Sequence, residues 1–559
     1  MKDRYKVCIP AFLAVAMMLT IFWKVGFFFE TNDERCIVEM LSGTITQVPD
    51  AHVQVINYLL ALPLTWLYKI TWQIPWYGIC LILFHGISWF FILESFLSCF
   101  RKIAEMAAGA GICAGLFLIS MYNTSLLQFT STAALLATAG YVCILSGRST
   151  RRLLAFTCLE FLAFLLRKES MLMIQPFGLA VWLGLLAGRH LWKKKEERMF
   201  LYRAGLALTG IMLLGTLGSL LGYRGAEWRE YETYNKARIA LFDYYGTPEY
   251  EEVKDILDQY HVGETEYQAY RSYVLTGNSI DGECAAELAA YAKEKNGGER
   301  DVGGLVREAF DLISRKDSMS AGYLVGGVGL CAVVWLVCSG SLYLLWPIAG
   351  MGIAHTGVWC YLLYKGRTPN RVTFPLFFCE IVFVMLLMAR SYRDRERKWW
   401  QSLAALVICA VFARDAYKIG QAQYRYVCAE NEMQTIYIEG LREVREYCLS
   451  HPEKRYLLDN VSFLYYFGSA LETDIYRPGN AMYTGGWNGN SPVYRAYGRA
   501  YFGDDMADIN VILYDDGRPV EELAENITIR YFAEKTGREP SIDHRFSVSN
   551  GGSYIVWHF

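Results

Sequence analysis

Apolar residues come in twelve blocks along this chain, at roughly 7–28, 53–70, 76–98, 104–121, 126–146, 152–167, 171–190, 202–222, 321–339, 342–364, 372–390 and 399–418. Most approach the ~20 residues that a helix needs to cross the hydrocarbon of a bilayer. The pattern predicts an α-helical polytopic membrane protein. Two long polar stretches, 223–320 and 420–559, stand outside the blocks.

Charge orders the blocks. Lys and Arg collect on the cytoplasmic side of membrane proteins. The basic connectors are Lys2/Arg4/Lys6, Arg101/Lys102, "GRSTRR" at 147–152, "RHLWKKKEER" at 189–198 and "RSYRDRERK" at 390–398. If all five are cytoplasmic, an even number of crossings must separate each from the next. Three blocks lie between Lys6 and Arg101, so one of them does not cross. The block 53–70, with Gln54, Asn57 and Pro63 inside it, suits a helix lying at the interface. Eleven crossings result, with the N-terminus inside and the C-terminus outside. The residues 29–75, 223–320 and 420–559 are then expected on the extracytoplasmic side of the cell membrane.

The first of these segments carries chemistry. "FFFETNDERCIVEMLSGT" passes within three residues from an apolar run to Glu30, Asp33 and Glu34. Carboxylates at a membrane edge are solvated, paired or used. Thr31 and Glu34 have the spacing of a capping box, and Ile37, Val38 and Leu41 give one face of a short helix ending near Gly43. That account uses Glu34 and leaves Asp33 free. The two project about 100° apart on a helix, so only one can face a given cleft. Asp50 is expected as an N-cap, with His52 beside it.

Composition narrows the classes. The chain is 53% hydrophobic with a formal net charge of −2, which gives no bulk attraction for nucleic acid. The 15 cysteines have no CxxC pair and fall mostly in apolar blocks, as packed free thiols. No nucleotide-binding glycine motif is present, which disfavours a nucleotide-sugar donor or an ATP-driven pump.

A first crossing, an outer loop opening on "NDE", a Pro-containing interfacial helix, many further crossings and a polar tail resemble the glycosyltransferase C superfamily. The resemblance is one of layout over about the first 420 residues, since the acidic motif alone is short. It implies a membrane glycosyltransferase that takes a sugar from a polyprenyl-phosphate donor and passes it to an extracytoplasmic glycan, lipid or protein. By position, Asp33 falls at the family's catalytic carboxylate, with Glu34 the alternative, and 34–42 and 53–70 fall at its two juxtamembrane helices. Some members use a divalent metal and others do not. Glu30, Asp33 and Glu34 are compatible with one, but none is required, and no metal ligands are assigned.

Such a transfer leaves a phosphate at the outer face, which cationic donors would stabilise. Lys365, Arg367 and Arg371 in "KGRTPNR", and Arg167 with Lys168, break the charge rule by lying on the outer side. They are the candidate phosphate ligands; snorkelling to lipid headgroups is the competing account. His52, Asn235, Arg238 and Trp487 are weaker candidates for acceptor or sugar contacts.

The segment 223–320 is expected to be helical, with Thr247 as N-cap of a helix starting at Pro248. The tail 420–559 is expected to form a separate α/β or α+β domain after a membrane module 1–419. It opens on a helix, "MQTIYIEGLREVREYCLSH". "KRYLLDNVS", "INVILYDD", "ITIRYFAE" and "SYIVWHF" are expected as strands. Two other classes stay open: a flippase of lipid-linked glycans, for which Glu160, Glu380 and His85 inside apolar blocks speak, and a non-catalytic envelope scaffold.

Overall fold

A computed structural model describes residues 2–100, 103–298, 301–314, 319–393, 399–473, 477–503, 506 and 508–559. Arg101, Lys102 and residues 394–398 lie outside the described residues, as do the side chains of Lys2, Arg4 and Lys6. Among the described residues, seven helices are long and apolar enough to cross a membrane: Val7–Lys24, Trp76–Leu97, Phe129–Ser146, Thr150–Gly188, Lys195–Gly222, Gly322–Ser339 and Asn370–Tyr392. The protein is a mainly helical membrane protein with a sheet-bearing C-terminal region. None of the fifteen cysteines is joined in a disulfide.

The blocks 152–167 and 171–190 form one unit. Thr150–Gly188 is helical except at Arg167, which is extended (φ −159°, ψ 101°). Gln175 Nε2 donates to Glu160 Oε2 at 2.9 Å, across 15 positions of chain. Those positions would be about 22 Å apart in a straight helix. The chain therefore reverses at Arg167, and the two halves lie side by side with Arg167 at the tip. Tyr141 ties this hairpin to Phe129–Ser146 by donating to Gln175 Oε1 at 2.6 Å. Gly178 lets the two approach, since a Cβ there would meet the Tyr141 ring at 2.3 Å. Close contact through small residues is how helices hold together where no hydrophobic force between them exists.

The block 53–70 is helical only over Tyr58–Ile70, with Pro63 inside. Thirteen residues rise about 20 Å, short of the hydrocarbon thickness. Its N-cap is Asn57, whose Oδ1 accepts from the Leu59 N–H at 3.0 Å. Asp50, the expected cap, instead accepts from the backbone of His52, too far up the chain to reach the helix.

The polar segment after 222 folds into short helices around a core of its own, including Tyr231, Leu257, Tyr267, Tyr270 and Leu288. Ala226–Ile239 runs into a π-helical turn, Ala240–Tyr245. The next helix, Tyr250–Gln259, is capped by Glu249 rather than Thr247, and the Glu252 carboxylate accepts the Glu249 N–H at 3.0 Å. A carboxylate three residues on outcompetes the proline signal at 248.

The change of composition near 420 is not a chain break, because Trp399–Ser450 is one continuous helix. Its last turns pack into the C-terminal core through Ile438, Leu441, Val444 and Cys448. The C-terminal sheet has five strands, ordered Ala481–Tyr483, Arg455–Leu458, Ile509–Tyr514, Ser553–His558 and Ser541–Ser547. The first three are parallel; the last two run antiparallel to their neighbours. Three of the four expected strands are present. "ITIRYFAE" is instead part of the helix Ile527–Thr536, capped by Asn526 and ended by Gly537 in the left-handed region. Its β-branched alternation mimics a strand, but Thr528 and Phe532 bury one face at helical spacing.

These parts meet at one end of the bundle. The N–H groups of Leu275 and Thr276 both donate to the Thr484 carbonyl, at 2.8 and 2.9 Å, docking the 223–320 segment on the C-terminal region. Phe28–Phe29 pairs in parallel with Leu126–Leu127. On its other side Phe29 N–H donates to Gly468 O at 3.0 Å, and Ala470 N–H to Phe27 O at 3.0 Å. At the other end, Arg148 pairs with Glu197 at 2.9 Å and Arg152 with Glu94 at 3.1 Å.

Candidate functional site

The acidic stretch begins where that three-way backbone clamp stops. Glu30 N–H donates to Leu127 O at 3.1 Å, and the helix Asn32–Ser42 starts two residues later. Its three carboxylates have three different surroundings.

Glu34 is fully buried and committed to the fold. Its Oε2 accepts from Thr31 Oγ1 at 2.8 Å and its Oε1 from Phe129 N–H at 3.2 Å, at the start of another helix. The expected capping box is thus altered: Thr31 is the N-cap, but its hydroxyl donates to Glu34 instead of accepting a helix N–H. Glu30 accepts from the Tyr122 hydroxyl at 3.1 Å through Oε1, and its Oε2 is buried with no partner among the described residues. Asp33 has no hydrogen-bond partner among the described residues and keeps partial access to solvent. Of Asp33 and Glu34, only Asp33 is free for a ligand.

Burial raises the Asp33 carboxyl above the usual carboxylate range. Arg371, then Arg167 and Arg238, oppose this, while Asp243 adds to it. Burial also pushes Glu30 up to about 7, against the pull of Arg371. Glu34 lies well above its ordinary value, from burial first and the Asp33 charge second.

Four chain segments supply those charges. Arg371 sits in the first turn of Asn370–Arg393 and makes no ion pair or hydrogen bond among the described residues. Arg167 comes from the hairpin tip. It pairs with Glu169 at 3.0 Å, donates to Val55 O at 3.4 Å and lies over the Phe129 ring at 5.4 Å. Arg238 is buried, with Nε and Nη2 both donating to Asn235 Oδ1, at 3.1 and 2.8 Å. The π-helical turn delivers Asp243, a conformation that recurs at functional sites.

The expected cation cluster divides. Arg371 and Arg167 bear on the carboxylate. Arg367 pairs with Asp243 at 3.1 Å and lies over Tyr244, and exposed Lys365 lies 5.9 Å from the centre of that same ring. Lys168 is 64% exposed and reaches only Glu169, at 3.8 Å. Gly366 ends one helix in the left-handed region and Arg371 already belongs to the next, so Lys365 and Arg371 stand on different helices.

The weaker candidates also separate. Asn235 and Arg238 form one buried unit facing Asp33. Trp487 lies half-buried in the loop beside them; its carbonyl accepts from Tyr231 OH at 2.8 Å and its indole N–H has no partner among the described residues. His52 is occupied: Nδ1 meets Asp50 Oδ1 at 2.6 Å, Nε2 meets Gly222 O at 3.2 Å, and the ring stacks on Trp228 at 4.2 Å. Its place is structural. Tyr122, and Tyr273, on which Arg238, Asp243 and Asp33 all act, carried no signal in the sequence; Glu30 stood there as the third acid of one stretch.

Among the described residues no three carboxylate, histidine or cysteine side chains gather as a metal set. Glu30 and Glu34 turn oxygens toward Tyr122, Thr31 and Phe129 instead of toward one point. Comparison of the chain with models of known families and with curated proteins finds no match. What the site offers is one partly exposed carboxylate that burial destabilises, acted on by three guanidinium groups from separate segments, at one end of a membrane bundle.

Proposed function

We propose that the chain is a membrane glycosyltransferase of the glycosyltransferase C type, acting on a polyprenyl-phosphate sugar at the extracytoplasmic face. The observation that carries this reading is that Arg371, Arg167 and Arg238, from three separate segments, all act on the partly exposed Asp33 carboxylate. Asp33 is the general base. Its lifted basicity suits it to take the proton of an acceptor hydroxyl as that oxygen attacks the anomeric carbon. The phosphate leaves on the opposite face of the sugar, so configuration inverts. The arginines hold the charge that develops on the phosphate, and their planar forks pair with its oxygens. The base is a carboxylate and the anion ligands are guanidinium groups, all supplied by this chain. The acceptor is a glycan, lipid or protein hydroxyl.

The proposed topology has eleven crossings, with the N-terminus inside. Its support is the segregation of the two ends. The basic connectors at Arg148 and Arg152 gather at one end, while Asp33, the hairpin tip, Arg371 and the C-terminal region gather at the other. Counting each half of Thr150–Gly188 separately, and adding Ile103–Ile119, Leu345–Lys365 and the start of Trp399–Ser450, gives eleven passes between the ends.

The test is transfer by the purified protein from a panel of polyprenyl-phosphate sugars. Asp33→Asn is expected to lower turnover by about 10²–10⁴-fold, the range for loss of a general base, with an unchanged melting temperature. Turnover unchanged in this variant removes Asp33 from the mechanism. A wild-type protein that transfers nothing from any donor ends the proposal.

A further inference from the structure

Glu30 has a carboxyl oxygen that neither the fold nor the transfer step uses. The backbone is pinned to Leu127, Oε1 takes the Tyr122 hydroxyl, and Oε2 is buried without a partner among the described residues. Asn370, adjacent to Arg371, also acts on the same Tyr122 hydroxyl. Arg371 acts on Glu30 and on Asp33 and is tied to neither by a hydrogen bond. A single cation thus acts on two carboxyls, one partly exposed and one with a buried oxygen that has no partner among the described residues.

We infer that Glu30 is a positioning residue that competes with the lipid phosphate for Arg371. When neutral it leaves the guanidinium to the phosphate. When ionised it draws the guanidinium back and repels the anion. The inference rests on the reading of Arg371 as a phosphate ligand.

The charged and titratable groups around Glu30 are Arg371, Asp33 and Glu34 of the first-loop helix, Tyr122, and Tyr426 on the long helix. Burial dominates and places the carboxyl at about 7; Arg371 and the Tyr122 hydrogen bond pull it down, and Asp33 pushes it up. Because this value is raised, the group is protonated below it and ionised above it. Phosphate affinity is therefore highest at low pH and falls as pH rises through the neutral range.

The probe is farnesyl methyl phosphate, a diester whose single charge is constant across the range, binding to the full-length protein in detergent. The wild-type dissociation constant is expected to rise about tenfold from about pH 6 to about pH 8.5, the change that accompanies a one-unit shift of a linked carboxyl. Glu30→Gln, fixed in the neutral form, is expected to bind at the higher pH as tightly as wild type at the lower. Tyr122→Phe removes a hydrogen bond that favours the ionised carboxylate, so it should move the fall to higher pH. This variant and the wild-type curve decide the matter should Glu30→Gln not fold. Flat wild-type binding, an equal fall in Glu30→Gln, or an unshifted Tyr122→Phe curve overturns the inference and leaves the phosphate reading standing. Absence of wild-type binding at every pH overturns both.

Discussion

Asp33 and Glu34 are neighbours with opposite assignments, and the difference is one of hydrogen-bond supply. Glu34 receives a hydroxyl and a backbone N–H; Asp33 receives neither. Glu34→Gln is therefore expected to cost stability. An amide can accept through one atom only, so either Thr31 or Phe129 loses its acceptor, at about 1–3 kcal/mol for a buried donor left unmatched. Thermal unfolding in detergent checks this, with activity per folded molecule expected near wild type. The same contrast separates the cations. Arg371→Ala is expected to reduce transfer by about 10²–10³-fold, the scale of one lost donor to a developing anion. Lys365→Ala should stay within about twofold, because Lys365 lies exposed over Tyr244, away from the carboxylate. Equal losses in the two variants would mean that the site extends to Lys365.

Elements set these residues in place, and their legibility varied with how local the cause was. The first-loop helix was readable because its cap at Thr31 and its stop at Gly43 lie inside the stretch itself. The reversal at Arg167 was readable only as two apolar blocks; what fixes it, the Glu160–Gln175 bond, joins positions 15 apart. The helix over "ITIRYFAE" was missed because period-two alternation and period-four burial coexist there, and Asn526 and Gly537 decide between them. Glu380 and His85, which spoke for transport in the sequence, are each bonded in the bundle. Glu380 accepts from Trp359 at 3.1 Å and meets His355 at 2.9 Å, and His85 meets Thr132 at 3.0 Å. They bind helix to helix, as polar groups inside membranes commonly do. The loop that carries Gly485 and Trp487 has an element-scale role of its own. A Cβ on Gly485 would lie 1.6 Å from the Tyr273 carbonyl, whereas one on Gly498 has nothing nearer than 3.8 Å. Gly485→Val should therefore pry the 223–320 segment from the C-terminal region and expose it to protease, while Gly498→Ala should not. Equal protease resistance in both would show that this contact is not what joins the two regions.

At the scale of the molecule, the site exists only if its parts share one side of the membrane. The first loop supplies the carboxylate; a hairpin tip, a helix start near residue 371 and a buried helix near residue 238 supply the cations that act on it. No segment holds two of the three guanidinium groups, so composition within any one window could not reveal the cluster. Charge counting across the whole chain reveals part of it: Arg167 and Arg371 stand out against the expected cytoplasmic bias, whereas Arg238, inside the long polar segment, does not. The bias itself is a rule about short connectors, and the connectors at 101–102 and 394–398 carry much of the count. Fusion of alkaline phosphatase, which matures only outside the cytoplasm, tests it directly. A fusion after Phe559 is expected to be active and one after Lys194 inactive, with fluorescent-protein fusions giving the reverse. Activity at both positions would demand an odd number of passes between them to be even, and one helix would have to leave the count. Activity only after Lys194 would turn the site toward the cytoplasm, where the charge-rule violation of Arg167 and Arg371 vanishes and with it the reason for expecting the donor at the outer face.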